Sequence, residues 1–390
     1  MAHQNIAILG ATGNIGQELA KQISLKDAPY LGKNENPTNI IAMAGRGGFV
    51  LKQGGIEIQN DPGLIAELQG IDRKLASNGQ PRTAFKNWLK GQPGYQEGQA
   101  KDLFDKIVKL GLIDDVVFVD LTADDLTEVH QQIIEAKGSI VTANKIPVAQ
   151  SSWEVFQTLT RLRRKYAFSC SVMAGSGAVP YLQKCFDLKD EVLSIEGCFS
   201  GTLGKLCNLL HEGKITFSEA IRQLKAAGDT EPDARDDLSG MDVARKIVVL
   251  ARAAGYKVDL QNVVVAPFIP EGFEDLAASR CNPEEFMEKC SVLNEIMADK
   301  FREVKGRGMT LKYVATLKIE DGVPKLTVGL REEELNSPLG SLKGNANKVL
   351  IYTDTDSDIP WDLGSGGSGI KRTAKNVRGD LRDIQISIAA

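Results

Sequence analysis

The sequence predicts two domains, an α/β domain followed by an α+β domain. At 390 residues the chain is too long for one ordinary hydrophobic core. Up to about residue 165, short apolar runs alternate with helical patterns, which is typical of a parallel sheet covered by helices. Beyond that point the strands lie closer together, and residues 310–317 and 325–330 flank Asp321-Gly322 as the arms of a β-hairpin. The second half therefore predicts an antiparallel or mixed sheet with helices on one side.

The composition argues against several classes of protein. A net charge of −4 with both signs interspersed argues against a nucleic-acid surface or an acidic membrane as partner. The six cysteines form no CxxC pair and the three histidines stand apart, so we expect no zinc hydrolase and a reducing compartment. No stretch reaches the ~20 apolar residues of a membrane span. We expect a cytoplasmic protein with no nucleic-acid and no membrane partner.

The first predicted strand leads into a glycine-rich turn. Residues 5–9 are apolar, the turn follows at 10–16, and an apolar pattern at helical spacing comes next, which is the context of a dinucleotide-binding fingerprint. Gly10 allows the tight turn, Gly13 lets a pyrophosphate approach backbone N–H groups, and Gly16 lets helix and strand pack closely. The candidate contacts are Gly10, Thr12, Gly13, Asn14, Ile15 and Gly16. A flavodoxin-like turn without a nucleotide is the alternative.

The second predicted strand, residues 39–43, leads into Arg46. An NAD-preferring site usually presents an acidic side chain at this place to the ribose hydroxyls. An arginine instead suits the 2′-phosphate of NADP. We therefore expect NADP as the cofactor and keep NAD as the alternative. A surface arginine in a glycine-rich loop is the interpretation that needs no nucleotide.

Two further predicted strands end in polar residues. Residues 116–120 lead into Thr122, and residues 139–142 lead into Lys145. In an open α/β sheet the carboxyl ends of the strands line the crevice in which the cofactor binds. This rule predicts Thr122 as a cofactor contact and Lys145 as a contact of the nicotinamide or the substrate. An exposed loop lysine is the alternative for Lys145.

The tail returns to the pattern of the first domain. Residues 364–369 are rich in glycine and serine, and a helical pattern and a predicted final strand at 383–388 follow. This order predicts a turn against the cofactor with Gly369 as a contact, although the composition is also typical of a flexible linker. We expect a Rossmann-type dinucleotide-binding domain at residues 1–165, completed by 345–390, and an α+β substrate-binding and dimerisation domain at 166–344.

Acidic residues surround a lysine between residues 231 and 246. Asp242 and Lys246 lie four residues apart, so in a helix they share one face, and an apolar run follows at 247–251. A carboxylate beside such an ammonium can hold a proton donor in position and set its pKa. A solvated ion pair is the alternative, since such pairs are common and weak on helix surfaces. The apolar run behind the lysine favours an active site.

Four segments together resemble homoserine dehydrogenases, most closely the dehydrogenase part of bifunctional aspartokinase–homoserine dehydrogenases. They are GDTEPDARDDLSGMDVARKIVVLAR (228–252), VDLTADD (119–125), VTANKIP (141–147) and FSGTL (199–203). The resemblance implies NAD(P)H-dependent interconversion of L-aspartate 4-semialdehyde and L-homoserine, in threonine and methionine biosynthesis. The implied substrate is a small amino acid. An exposed face of the predicted second sheet is in addition typical of a dimer surface, so we expect a homodimer.

The resemblance further implies roles for single residues. Lys246 is similar to the family's general acid, which protonates the carbonyl oxygen as the hydride arrives. Asp242 is similar to the acid that holds this lysine and the substrate, and Lys145 to a lysine between the nicotinamide and the substrate. The implied substrate contacts are Glu231, Asp237, Gly201 and Thr202. A zwitterionic amino acid needs carboxylates opposite its ammonium, and this segment supplies them.

The chain departs from the family's pattern at the motif that helps to build a monovalent cation site. Ser169 stands where the family has an acidic residue, and the loop at 172–180 is longer, so the resemblance assigns no metal ligand. Two other functions stay open: an oxidoreductase acting on another small amino-acid aldehyde or alcohol, and a catalytically inactive sensor of NADP(H). A short-chain dehydrogenase is disfavoured, because no tyrosine is followed by a lysine four residues later.

Overall fold

The structure is a computed structural model that describes residues 4–26, 38–61, 63–66, 68, 82–366 and 369–389. It divides into two compact units. The first comprises Met1–Gly175 together with Gly369–Ala390, and the second comprises Ser176–Ser368.

The first unit is built on a six-stranded sheet with the order β3-β2-β1-β4-β5-β6. Its strands are β1 (Gln4–Leu9), β2 (Thr38–Gly45), β3 (Gly48–Leu51), β4 (Val116–Asp120), β5 (Ser139–Thr142) and β6 (Tyr166–Ala167). All neighbours pair in parallel except β3, which returns antiparallel to β2. Its helices up to residue 160 are α1 (Asn14–Lys26), α2 (Arg82–Lys90), α3 (Ala100–Lys109), α4 (Thr127–Glu135), α5 (Ile146–Ala149) and α6 (Trp153–Thr160).

The strand order 3-2-1-4-5-6 is that of a Rossmann-type dinucleotide-binding fold, so this part of the predicted fold class is confirmed. β4 is buried along its whole length, which is expected for a central strand with helices on both faces of the sheet. Ile6 and Ile8 of β1 belong to the same core as Leu19 and Ile23 of α1. The core therefore fixes the strand and the helix that flank the glycine turn.

The second unit contains a six-stranded mixed sheet with the order β12-β11-β7-β9-β10-β8. Its strands are β7 (Val192–Cys198), β8 (Val263–Val265), β9 (Met309–Glu320), β10 (Val323–Glu334), β11 (Asn347–Thr353) and β12 (Trp361–Ser365). Its helices are α7 (Ala178–Leu188), α8 (Gly201–Glu212), α9 (Phe217–Ala226), α10 (Ala234–Leu238), α11 (Met241–Ala253), α12 (Pro283–Lys289) and α13 (Asn294–Gly306). Only the β8–β10 pair is parallel.

The predicted hairpin is confirmed by the pairing of β9 with β10. Asp321 and Gly322 form its turn with φ angles of 51° and 75°. Two consecutive left-handed residues define the turn that matches the twist of a two-residue hairpin, and Asp-Gly is a preferred sequence for it. A local sequence signal therefore determines this hairpin of the second sheet.

The structure differs from the sequence prediction in the tail. The segment 345–368 does not complete the first domain, because β11 pairs with β7 and β12 pairs with β11 in the second sheet. The predicted strand at 383–388 is part of a helix, α14 (Ile370–Ala389). Its buried residues, Ala374, Val377, Leu381 and Ile384, recur every three or four positions and join the core of the first unit. This helical spacing continues through residue 384, so the predicted strand is wrong.

Among the described residues, no helix is both long enough and apolar enough to span a bilayer.

Candidate active site

The glycine turn joins β1 to α1 and leaves no space for side chains at two positions. Gly10 has φ +83°, and a Cβ there would lie 2.9 Å from the backbone of Leu121. A Cβ on Gly16 would lie 2.3 Å from the Gly10 carbonyl oxygen, so the start of α1 packs directly on the turn. The N-terminus of a helix favours an anion, and Asn14, Ile15 and Gly16 occupy the first turn of α1. The turn is a cradle that suits a pyrophosphate.

Arg46 follows β2 at the same end of the sheet as this turn. The Ala44 carbonyl accepts hydrogen bonds from the N–H groups of Gly10 at 3.0 Å and Ala11 at 2.8 Å. A Cβ on Gly45 would lie 2.6 Å from the Thr12 side chain. Arg46 is exposed in the two-residue turn between β2 and β3. Because β2 pairs in parallel with β1, Arg46 lies next to the glycine turn.

A buried polar network follows the carboxyl ends of β4 and β5. Asp120 accepts hydrogen bonds from the Thr122 N–H at 2.9 Å, the Thr122 hydroxyl at 2.7 Å and the Asn144 amide at 3.0 Å. Its other contact is His130 Nε2 at 3.0 Å, and His130 Nδ1 lies 2.8 Å from the Tyr166 hydroxyl. The network holds the loops after both strands together.

Opposing effects act on the carboxyl group of this network. Burial acts to raise the pKa of Asp120, but the hydrogen bond and charge of His130 and the bonds from Thr122 outweigh it. The net result is a pKa below the ordinary value of 3.8, so Asp120 is ionised at neutral pH. A buried carboxylate with this many donors rigidifies the loops that carry Thr122 and Lys145.

Thr122 and Lys145, both predicted from sequence, lie at this edge of the first sheet. The Thr122 Cγ2 atom would be 3.1 Å from a Cβ on Gly10, so the threonine borders the glycine turn. Lys145 is half-buried and caps α5, where its carbonyl accepts the Ala149 N–H at 2.8 Å. Sequence reasoning missed Asp120, His130, Asn144 and Tyr166 as members of the site. The available signal for Asp120 and Asn144 was a polar residue at or just after the end of a buried strand, whereas His130 and Tyr166 had no such signal.

Gly369 lies at the start of α14, in the first unit. Its carbonyl accepts the Thr373 N–H at 2.8 Å and the Thr373 hydroxyl at 3.0 Å. The glycine therefore begins the helix, and its role as a cofactor contact stays a prediction. Residues 367–368 of the glycine- and serine-rich segment lie outside the described residues.

Ser169, where the resemblance leads us to expect an acidic residue, contacts a carboxyl group from the tail. Its hydroxyl lies 2.6 Å from both carboxyl oxygens of Asp380 on α14. Burial, and then the nearby charge of Asp383, raise the pKa of Asp380 to about 7. In the described part of the chain, no three or more His, Cys, Asp and Glu side chains are grouped for a metal ion.

This carboxyl group predicts a pH-dependent stability. Because the folded pKa of Asp380 lies above its ordinary value of 3.8, its stabilising contribution is complete below about pH 3.8 and is lost as the pH rises through about 7. We expect Asp380→Asn to melt several degrees higher than the wild type at pH 8 and close to it at pH 4. Thermal melts across this range, with the exposed Asp105→Asn as control, measure the effect. An equal shift at both pH values would contradict the assignment.

Lys246 lies on α11 of the second unit, as predicted one turn after Asp242. Its Nζ atom lies 2.6 Å from Asp242 Oδ2 and donates a hydrogen bond to the Phe199 carbonyl at 2.7 Å. The lysine side chain is 14% exposed and the aspartate side chain is 43% exposed, so the pair opens to solvent on the carboxylate side. The ammonium is thus held from two directions at the surface of this unit.

The start of α11 depends on a glycine. Gly240 has φ +73°, and a Cβ there would lie 2.0 Å from the Tyr313 hydroxyl. Asp242 stands in the first turn of the helix, where the helix dipole favours a negative charge. One helical turn later, Lys246 is followed by the fully buried Ile247–Ala251 run that anchors the helix. The backbone therefore presents the lysine in a fixed place.

Two further carboxylates lie with Asp242 in the second unit. The Glu231 N–H donates to Asp237 Oδ2 at 2.8 Å. Burial raises the pKa of Asp237, and the charges of Glu231 and Asp242 add to the increase, although the Glu231 N–H and the Thr202 hydroxyl oppose it. A carboxyl group whose pKa is raised by neighbouring carboxylates favours a cationic ligand, because a cation relieves the repulsion. The structure thus groups four of the predicted site residues: Glu231, Asp237, Asp242 and Thr202.

The loop that carries Glu231 and Asp237 is anchored by Arg235. This side chain is buried, lies 2.6 Å from Asp233 Oδ2 and donates to the Cys281 carbonyl at 2.7 Å. A planar guanidinium that bridges two loops in this way holds the short helix α10 in place. Sequence reasoning did not assign Arg235 a role, because its partner at Cys281 is remote in sequence.

Gly201 and Thr202 begin α8 in the second unit. Ser200 caps this helix by accepting the Leu203 N–H at 3.2 Å. The Thr202 hydroxyl donates to the Asp229 carbonyl at 2.6 Å, and the Asp229 carboxylate pairs with Lys205 at 2.6 Å. The helix start is therefore tied to the acidic loop that supplies Glu231.

The first unit's strand order and glycine turn, and the second unit's lysine and carboxylates, define the class of NAD(P)-dependent oxidoreductases with two domains. The family model described as homoserine dehydrogenase matches residues 180–381. The chain belongs to the homoserine dehydrogenase family. The sequence-based recognition of that family is confirmed.

Several known proteins are similar to the chain. A bifunctional aspartokinase/homoserine dehydrogenase of Buchnera aphidicola is 30% identical over 285 residues, which is 72% of this chain and 34% of the relative. A Candida auris protein of unknown function has a TM-score of 0.80 at 24% identity over 99% of both chains. A hyperthermophilic archaeal homoserine dehydrogenase in complex with NADPH has a TM-score of 0.68 at 20% identity, over 99% of this chain and 98% of that one.

These likenesses differ in what they establish. The solved structures are too distant in sequence to show more than the fold. The chain spans about a third to two fifths of the length of the curated relatives it matches. The activity of those longer proteins therefore reaches this chain only as a proposal.

Proposed function

We propose that this protein is a homoserine dehydrogenase, which interconverts L-aspartate 4-semialdehyde and L-homoserine with NADP(H). The observation that carries the proposal is the fixed ammonium of Lys246, which Asp242 and the Phe199 carbonyl hold beside further carboxylates. In the family this reaction belongs to threonine and methionine biosynthesis.

Lys246 supplies the proton in the reducing direction. Reduction of an aldehyde builds negative charge on the carbonyl oxygen, and a positioned ammonium stabilises this charge and donates a proton to it. In the oxidising direction the neutral amine accepts the proton of the hydroxyl group. Asp242 and the Phe199 carbonyl hold Nζ in place.

Glu231 and Asp237 bind the substrate's ammonium group in this proposal. Their carboxylates, with that of Asp242, concentrate negative charge on one side of the lysine. An amino-acid ammonium compensates this charge, whereas a substrate that lacks the amino group leaves it unrelieved. The second unit therefore favours a small amino acid over a plain aldehyde or alcohol.

The first unit suits a dinucleotide because its glycine turn packs tightly on the start of α1, where a helix N-terminus favours a pyrophosphate. Backbone atoms would meet a Cβ at Gly10 and at Gly16, so the chain approaches closely where a pyrophosphate binds. When bound, the dinucleotide supplies the hydride acceptor or donor. Arg46 lies beside the turn, and an arginine here suits a 2′-phosphate, which supports NADP over NAD.

Replacement of Arg46 tests the cofactor preference. We expect Arg46→Asp to raise KM for NADP⁺ by about 10-fold or more, because a charge-assisted bond to phosphate becomes a repulsion. KM for NAD⁺ should stay the same or fall, since an acid at this place suits the ribose hydroxyls. Initial rates with both cofactors give the ratio of KM for NADP⁺ to KM for NAD⁺. Arg161→Asp, which changes another exposed arginine, serves as control. A ratio equal to that of the wild type would exclude Arg46 as the selective residue.

A homodimer is also proposed. Its support is the face of the second sheet that carries Arg331 and Glu196, because both side chains remain partly exposed and an open sheet face is typical of a dimer surface. Light scattering coupled to size exclusion measures the state in solution. A monomeric mass at micromolar concentration would refute this part of the proposal.

The function is tested by incubating the purified protein with L-homoserine and either NADP⁺ or NAD⁺ and following reduced cofactor. The proposal expects homoserine-dependent reduction, faster with NADP⁺. Activity with another small amino-acid alcohol and none with homoserine would favour the related oxidoreductase. Nucleotide binding without any turnover would favour the inactive sensor.

A further inference from the structure

Two nitrogen atoms of the second unit share the Phe199 carbonyl oxygen. Lys246 Nζ donates to it at 2.7 Å, and Asn347 Nδ2 donates to it at 3.4 Å. Phe199 lies in the two-residue link between β7 and α8, and Asn347 is the first residue of β11. Because they share one acceptor, the two nitrogen atoms lie within about 6 Å of each other. Asn347 therefore belongs to the surroundings of the lysine.

The oxygen of the Asn347 amide has no donor in the described part of the chain. Asn347 is 3% exposed, and its Oδ1 atom is buried without a hydrogen-bond partner among the described residues. Ser365 stands directly opposite Asn347 in the β11–β12 pair, and its Oγ atom is also buried without a partner in the described part of the chain. Opposite residues of an antiparallel pair share one face and lie about 5 Å apart.

Unsatisfied buried polar atoms are rare because each costs about 1–3 kcal/mol when no partner is available. Two such atoms on neighbouring strands, next to the carbonyl that holds Lys246, indicate a place built for a polar ligand. The amide oxygen is an acceptor, so its ligand must bring an N–H or O–H group.

We propose that Asn347 is a further substrate-binding residue, whose Oδ1 atom accepts a hydrogen bond from the ammonium or the hydroxyl of the bound amino acid. Its Nδ2 atom at the same time fixes the Phe199 carbonyl, which positions the ammonium of Lys246. The inference rests on the proposed function, since it names a substrate contact of the same site. It places one neutral acceptor beside the carboxylates of Glu231, Asp237 and Asp242.

Kinetics of Asn347→Leu test the inference, because leucine keeps the volume and removes both polar atoms. We expect KM for L-homoserine to rise 10-fold or more, as for a lost hydrogen bond to a charged group. The affinity for NADP⁺, measured by titration, should stay unchanged, and the melting temperature should not fall. Asn294→Leu is the matched control, since Asn294 Oδ1 accepts the Ser218 N–H in the first turn of α9 at 2.9 Å and its loss should leave KM unchanged.

The two substrates distinguish the two donors. An increase of KM for homoserine alone identifies the hydroxyl, because the aldehyde has no hydroxyl group in its carbonyl form. An equal increase for L-aspartate 4-semialdehyde identifies the ammonium, which both substrates carry. Asn347→Ser keeps an oxygen, and we expect it to recover part of the loss; it also decides the case if Asn347→Leu does not fold.

The inference and the proposed function fail in different ways. A wild type without activity on homoserine refutes the proposed function, and the inference falls with it. An active wild type whose Asn347 variants keep KM for both substrates within twofold overturns the inference alone. In that event a buried water satisfies the amide oxygen and the serine hydroxyl.

Discussion

Replacement of Lys246 by methionine is expected to lower kcat for homoserine oxidation by about 10²-fold or more, the usual contribution of a positioned acid or base. Methionine keeps the length of the buried stem and removes only the ammonium. Binding of NADP⁺ should persist, because its predicted contacts lie in the first unit. Steady-state rates and a separate nucleotide titration make the measurement.

The control for this change is Lys214→Met, which removes an exposed lysine from the same unit. We expect it to keep the rate of the wild type. The kcat of Asp242→Asn should lie between those of Lys246→Met and Lys214→Met. This change weakens the contact that holds Nζ but keeps the proton donor. If Lys246→Met kept more than half of the turnover, the lysine would not be the general acid.

The second large effect is expected from Gly16→Ala, which should abolish dinucleotide binding. The new Cβ would lie 2.3 Å from the Gly10 carbonyl oxygen and 2.7 Å from Ala11 Cα, and backbone atoms cannot yield as a flexible side chain can. The turn must therefore move away from α1, and the N–H groups at the start of the helix lose their alignment. Equilibrium titration with NADPH measures the loss.

Gly379→Ala is the matched control for this prediction. Gly379 lies in α14 of the same unit, and a Cβ there meets no atom within 4 Å. Alanine favours a helix over glycine by about 1 kcal/mol, so this variant should melt no lower than the wild type and bind NADPH equally well. Tight binding by Gly16→Ala would show that the turn does not cradle the pyrophosphate.

Local patterns predicted much of the fold. The continuous apolar run of β4 indicates a strand covered on both faces, and Asp321-Gly322 dictates the hairpin of β9 and β10. The pairing of β11 with β7 could not be predicted, because strand order across 150 residues follows from tertiary packing. The final helix was misjudged for a related reason: its apolar face is recognisable only against the core that it covers.

The same distinction holds for the site. Asp242 and Lys246 could be paired from their spacing, since four residues bring two side chains to one helical face. The Phe199 carbonyl, which holds the lysine from the other side, lies 47 residues away in sequence. Asn347 lies 148 residues from that carbonyl, and Ser169 lies 211 residues from Asp380. Contacts of this kind have no local signature, and only the folded chain assembles them.

A crystal structure with NADP⁺ and L-homoserine tests the central claim most directly. The measured quantity is the distance from Lys246 Nζ to the oxygen of the substrate's side chain. The account predicts a hydrogen bond of about 3 Å, with the substrate's ammonium facing Glu231 and Asp237. A substrate bound with this oxygen out of reach of Lys246, or with its ammonium directed away from both carboxylates, would contradict it.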